Sequence, residues 1–188
     1  MSKAIEGVAA KSAQLLENWL VLQDTAARYM ANAGNIVQRM PALTSAESYS
    51  ELQGAAELRP LLLAKQMKSF ELVLSRLQAV MSELEAVVVA QEKHCVDGWA
   101  VLGGGKTQAP IKRLAPPVGA MLTMESMEDV WFMCRDELCL KAALVSQLHH
   151  GISEAEFASI SSLFCAHVHV KTESSPVLLL RNSCWEVP

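Results

Sequence analysis

Few residue groupings in this chain could carry chemistry, and each also has a plain structural reading. Ala100-Val-Leu-Gly-Gly-Gly-Lys106-Thr107 has the letters of a relaxed phosphate-binding loop. Such a loop works when a strand leads into it and a helix follows, so that amide groups and a helix N-terminus converge on phosphate. Here a long helical pattern precedes it, and Pro110, Pro116 and Pro117 oppose a helix opening at Thr107. The segment reads as a flexible linker; nucleotide binding through residues 100–107 is the enzymatic rival.

His167-Val-His169 sets two imidazoles at i and i+2, with Cys165 two residues before. That spacing shares a face on a strand but not on a helix. A zinc site needs further ligands, and Cys134 and Cys139, four residues apart inside a helical pattern, do not supply them at the usual spacing. Helix-end histidines are the expectation here, and equally at His149-His150. Cys134 and Cys139 lie on or beside an apolar face with no histidine near in sequence, so they read as structural thiols. Glu125, Glu128 and Asp129 open a helix, where carboxylates complement the dipole. No catalytic residue, cofactor site or metal site is therefore expected, and the chain does not read as an enzyme.

The elements that hold these residues are clearer. Ile5, Val8, Ser12, Leu15, Trp19, Leu22, Ala26, Tyr29, Ala33, Ile36 and Met40 step by three and four residues. Leu63, Met67, Phe70, Leu74, Leu77, Met81, Leu84, Val88, Gln91 and Cys95 do the same. This rhythm keeps one helical stripe facing a neighbouring helix over many turns. Helix one is expected over Ser2–Met40, stopped by Pro41. Gly34 inside it implies a bend or a closely packed neighbour. Helix two is expected from about Pro60 to Asp97, with Gly98 as its stop. Gln91 is a polar residue on that seam, of the kind that fixes register.

Residues 103–119 hold three consecutive glycines and three prolines and read as a linker. Helix three is expected over Ser126–His149, with Met127, Trp131, Cys134, Leu138, Val145 and Leu148 on its apolar face. In helix four Ser153 is an N-cap, Glu156 completes a capping box, and Ile152 and Phe157 stand at staple positions. That helix should reach about His167. The tail, 171–188, has the look of a small strand or a docking peptide. The fold class is thus all-α. A long antiparallel coiled-coil-like helical hairpin (1–102) precedes the linker (103–119), a short C-terminal helical hairpin (120–170) and the tail (171–188).

Bulk composition narrows the function classes. Hydrophobic residues are 51% of the 188-residue chain and charged residues only 19%. Disorder throughout is excluded, and stripes wider than a two-in-seven seam are expected. A formal net charge of -4 argues against an electrostatic footprint for nucleic acid or anionic membrane. The five scattered cysteines and the polar start imply free thiols in a cytosolic or nuclear compartment. Trp19, Tyr29 and Trp131 on helical stripes suit a core or a partner interface. A thin hairpin cannot hide this much apolar surface, so the isolated chain is expected to self-associate or to dissolve poorly.

Two segments carry a family resemblance. One is Asn18-Trp19 with Ala31-Asn32-Ala33-Gly34-Asn35-Ile36. The other is Cys134-Arg-Asp-Glu-Leu-Cys-Leu-Lys141, followed by Ala142 to Leu148 and a short turn. They look like the cyclin-dependent kinase 2-interacting protein family over roughly residues 15–40, 60–95 and 120–170. A sister family, a small helical ribosome-maturation factor that pairs with the first, is resembled nearly as well over helices two and three. The resemblance implies a non-enzymatic adaptor that pairs with a related helical subunit and attaches to AAA ATPases. Its setting would be large ribosomal subunit maturation and DNA replication or cell-cycle checkpoint control, in nucleus and cytoplasm. Cyclin-dependent kinase complexes or checkpoint proteins are further implied partners; nucleic acid and membrane are not. On this resemblance Trp19, Leu22, Tyr29, Ile36, Leu74 and Leu77 would build the pairing surface. Arg135, Glu137, Leu138, Leu140 and Lys141 would buttress the second hairpin or meet the partner. The structural alternative is a coiled-coil tethering or kinetochore-type subunit with no ATPase link.

Overall fold

The structure is a computed structural model that describes residues 3–45, 55–103 and 118–182. All regular structure among these residues is α-helical: α1 (Lys3–Val37), α2 (Met40–Thr44), α3 (Ala55–Leu102), α4 (Val118–Val145), α5 (Glu154–Cys165) and α6 (Ser175–Asn182). The chain gathers into two compact units. The first comprises Met1–Leu22, Glu83–Cys139 and Val168–Pro188; the second comprises Gln23–Ser82 and Leu140–His167.

In the first unit α1 and α3 run antiparallel. Ser12 meets Gln91, Asn18 and Leu22 share a groove with Glu83 and Val87, and a Cβ at Gly98 would lie 3.7 Å from Val8. The buried seam of α1 here is Ile5, Ala9, Ser12, Leu16 and Trp19, with Ala13 buried beside it. It keeps the alternation of four and three and half of the expected positions. The other half shifts by one residue, with Ala9 and Leu16 buried where Val8 and Leu15 are half-buried. Residues at i+3 and i+4 share a helical face, and this stripe is wide enough to hold both. On α3 the seam falls where expected, at Leu84, Val88, Gln91 and Cys95.

Gly98 does not stop α3, which continues to Leu102. A Cβ there would sit 2.5 Å from the Met124 thioether. The glycine admits α4 at close range, and Gly103 is the one that follows the helix end. Trp99 Nε1 donates to Glu128 Oε1 at 2.6 Å across the same contact. The tail forms a helix, α6, with Val177 and Leu180 fully buried at i and i+3. Arg181 Nε lies 2.9 Å from Glu17 Oε1 of α1.

In the second unit the α1 seam continues through Gln23, Ala26, Met30, Ala33, Ile36 and Val37. Again Gln23 and Met30 are buried where Leu22 and Tyr29 are half-buried. α1 ends at Val37, and Pro41 sits in the first turn of α2, where its missing N–H costs nothing. Arg59 closes this corner by donating to the carbonyls of Leu43 and Thr44. α3 begins at Ala55, before Pro60, which therefore lies inside the helix.

α5 forms as its local grammar requires. Ser153 Oγ accepts from Glu156 N at 3.2 Å, and Glu156 Oε2 accepts from Ser153 N at 3.0 Å. Ile152 and Phe157 are both buried. The Phe157 ring closes on Gly34, where a Cβ would lie 2.9 Å from Cε1. A neighbour packed close explains that glycine. α5 ends at Cys165, and His167 takes a left-handed φ of 47° two residues later, terminating the helix. α4 starts at Val118, eight residues earlier than expected, and ends at Val145, before His149. Residues 46–54 and 104–117, with Cys184 and Trp185, lie outside the described residues.

Candidate interaction surfaces

α1 and α3 form an open groove in the first unit, lined by Asn18, Val21, Leu22, Glu83, Ala86 and Val87, with a volume of about 360 Å³. Leu22 is half-buried in it and Val21 is 65% exposed on its wall. Val87 is buried at its floor. Aliphatic walls with one carboxylate and one amide at the rim suit an apolar side chain of a partner helix. Beneath the helices Ser12 Oγ donates to Gln91 Oε1, and Gln91 Nε2 donates back to the Ser12 carbonyl at 2.9 Å. This buried pair fixes the register that aligns the two walls.

A second feature of this unit stands on α4. Arg135 lies 4.8 Å from the centroid of Phe132 and 5.4 Å from that of Trp131, whose rings are 4.6 Å apart. Asp136 holds the guanidinium through Nε at 3.1 Å and Nη2 at 2.9 Å. Phe132, Arg135 and Asp136 are exposed. An arginine held close to aromatic rings and tied to a carboxylate loses less side-chain freedom on contact, and Arg and aromatic groups are enriched at protein interfaces.

The remaining residues named for pairing divide by exposure. Trp19, Leu77, Glu137 and Lys141 are enclosed in the protein's own core, and Ile36 is buried. There they pack between the protein's own helices. Tyr29, Leu74, Leu138 and Leu140 are half-buried. Glu137 Oε2 accepts from the His169 backbone N–H at 2.8 Å, tying the chain after α5 to α4 in the first unit. In the second unit Lys141 Nζ donates to the Phe164 carbonyl and lies 4.1 Å from the Phe164 ring centroid. The helix-three motif thus contributes buried fastenings in Glu137 and Lys141 and an exposed contact in Arg135.

Ala100 to Leu102 are helical, where a phosphate loop needs an incoming strand; Lys106 and Thr107 lie outside the described residues. No cluster of three His, Cys, Asp or Glu side chains that could hold a metal is present among the described residues. Cys95 and Cys134 are buried. Burial, with Glu128 and Glu92 adding repulsion, pushes the Cys95 thiol up to about 11. Burial beside Glu137 pushes Cys134 up to about 12. Neither forms a thiolate readily. Cys139 and Cys165 are exposed. No described helix is long and apolar enough to cross a membrane.

A family profile described as CA109-like, ribosome biogenesis protein C1orf109-like, matches residues 2–177. The chain belongs to the C1orf109-like ribosome biogenesis protein family. The match is consistent with the second of the two resemblances, the ribosome-maturation factor, and does not show membership of the cyclin-dependent kinase 2-interacting family. No curated protein matches the chain. The α1–α3 groove, the Arg135 cluster and both buried fastenings fall within the span of the family match. Sequence reasoning missed Val21, Ala86 and Phe132. Each is an apolar residue off the buried seam, and only the packed helices show which off-seam residues stay uncovered.

Proposed function

We propose that this protein is a non-enzymatic helical adaptor of large ribosomal subunit maturation, acting in nucleus and cytoplasm. It pairs with a related helical subunit and links that pair to AAA ATPases. The family match supports the ribosomal setting. The observation that carries the pairing is the open apolar groove between α1 and α3 in the first unit, its walls set by the buried Ser12–Gln91 pair. A groove of this kind takes one helical anchor residue and gains from its burial. The link to replication, checkpoint or cyclin-dependent kinase complexes follows from the first resemblance alone, and the family match favours the ribosomal role.

Expression of the chain alone and with its related helical subunit tests the reading. Alone, the chain should self-associate as its concentration rises, and co-expression should yield a soluble complex of both. A lone chain that stays monomeric as its concentration rises, with no complex formed on co-expression, contradicts it.

A further inference from the structure

In the second unit α3 carries a face that the other described residues leave exposed. Leu58, Leu61, Lys65, Lys68, Leu72 and Ser75 follow one another at steps of three and four, and all are exposed. The leucines retain 54%, 68% and 54% of their surface. This seam is distinct from the buried one through Phe70, Leu77 and Val80. Isolated surface leucines need no explanation. Three of them in heptad register form the pattern of a helix contact.

The charges on the seam select the occupant. Lys65 and Lys68 stand between Leu61 and Leu72, and neither lysine is in an ion pair among the described residues. Glu71 lies off the seam, with its Oε1 3.2 Å from His150 Nε2. Arg59 is turned away to the carbonyls of Leu43 and Thr44. A helix laid on the leucines covers the lysine stems, and the ammonium groups then need carboxylates at its edge. A second copy of this face does not supply them. Laid antiparallel with Leu58 against Leu72, it brings Lys65 to Lys65. Laid parallel, it brings each lysine to itself.

We infer that this face of α3 binds an amphipathic helix of another protein whose apolar seam is edged by Glu or Asp. This rests on the adaptor reading and adds to it the chemistry of one partner helix and the residues that select it.

Two synthetic helical peptides of about three heptads test this, one with a leucine seam edged by Glu and one with the same seam edged by Lys. Each is titrated by fluorescence anisotropy against the full-length protein, its Lys65→Glu/Lys68→Glu variant and its Leu61→Asp variant. All three positions are exposed, and circular dichroism melts check that each variant is folded. The wild type should bind the Glu-edged peptide at least about tenfold more tightly than the Lys-edged one. The charge-reversed variant should invert that order, and Leu61→Asp should lose both peptides. Equal binding of the two peptides, or binding that charge reversal leaves unchanged, overturns the inference. A wild-type dimer that Leu61→Asp dissolves in sedimentation, with no peptide bound, assigns the face to a second copy and overturns it. So does binding to phosphatidylserine vesicles, lost on charge reversal, with neither peptide bound. If the titrations fail while the wild type still co-purifies a related helical subunit, this inference falls and the pairing reading stands. If peptide selectivity holds and no such subunit co-purifies, the pairing reading falls.

Discussion

Ser12 and Gln91 hold each other across the buried seam of α1 and α3 through two hydrogen bonds, hydroxyl to side-chain carbonyl and amide to backbone carbonyl. Both side chains are fully enclosed among apolar neighbours. One partner without the other leaves a buried polar group unsatisfied, at about 1–3 kcal/mol. Gln91→Leu alone should therefore destabilise the protein. Ser12→Ala with Gln91→Leu should recover much of the loss, with a coupling of about 1 kcal/mol in a urea double-mutant cycle. Additive single effects would show that the pair does not act as a unit.

Gly34 and Gly98 both stand under a neighbouring side chain, and the two neighbours differ in stiffness. Gly34→Ala drives a methyl group into the rigid Phe157 ring, which is itself buried. The helix-propensity gain of about 1 kcal/mol should be outweighed, for a net loss of about 1–2 kcal/mol in denaturant melts. Phe157→Leu in the same chain should relieve part of it. Gly98→Ala meets the thioether of Met124, an unbranched side chain that can swing aside, so its cost should be smaller.

How far the sequence reached follows from how local each signal is. The start of α5 was legible to the residue, because Ser153 and Glu156 satisfy each other within one turn. The register role of Gln91 was legible because a lone amide on an apolar seam has few other uses. The α1 seam was half legible. Leu22 and Tyr29 look more like core than Gln23 and Met30 do, yet it is the latter pair that is buried. Only neighbouring helices decide between i+3 and i+4. Gly98 was misread because a helix stop and a close approach use the same residue for the same reason, the missing Cβ. Of the residues named for pairing, Leu22 reached an open groove and Arg135 an exposed aromatic cluster. Trp19, Leu77, Glu137 and Lys141 turned inward, and for the two charged ones burial depends on acceptors and donors contributed by Phe164 and His169, far along the chain.

Thiol chemistry should separate the cysteines. Cys95 and Cys134 are buried, with thiols held up at about 11 and about 12. Cys139 and Cys165 are exposed. Brief iodoacetamide treatment at neutral pH, read by peptide mass spectrometry, should label Cys139 and Cys165 and spare Cys95 and Cys134. Unfolding in guanidinium should equalise all four. Rapid native labelling of Cys134 would contradict its place in the core.

The capping box gives α5 a pH dependence of known sign. Glu156 is held below its ordinary value of 4.5, first by the Ser153 hydroxyl and then by the Ser153 N–H. A carboxyl lowered in the folded state stabilises it above the ordinary range, and that contribution is lost as pH falls through the lowered value. Amide protection factors in α5, taken relative to the intrinsic exchange rate at each pH, should therefore fall as pH drops below the carboxyl's ordinary value of 4.5. Ser153→Ala should flatten this response. An unchanged acid profile in that variant would place its origin elsewhere.

The adaptor role is tested most directly at the α1–α3 groove. Tagged wild-type protein and a Val21→Glu/Ala86→Glu variant, both changes at exposed positions, are recovered from cells and their eluates quantified by mass spectrometry. The wild type should bring down a related helical subunit, AAA ATPases and large-subunit precursors, and the variant should lose the helical subunit by about tenfold or more. Equal recovery by both proteins, or an eluate of membrane tethers or microtubule proteins without ATPases, would contradict the account.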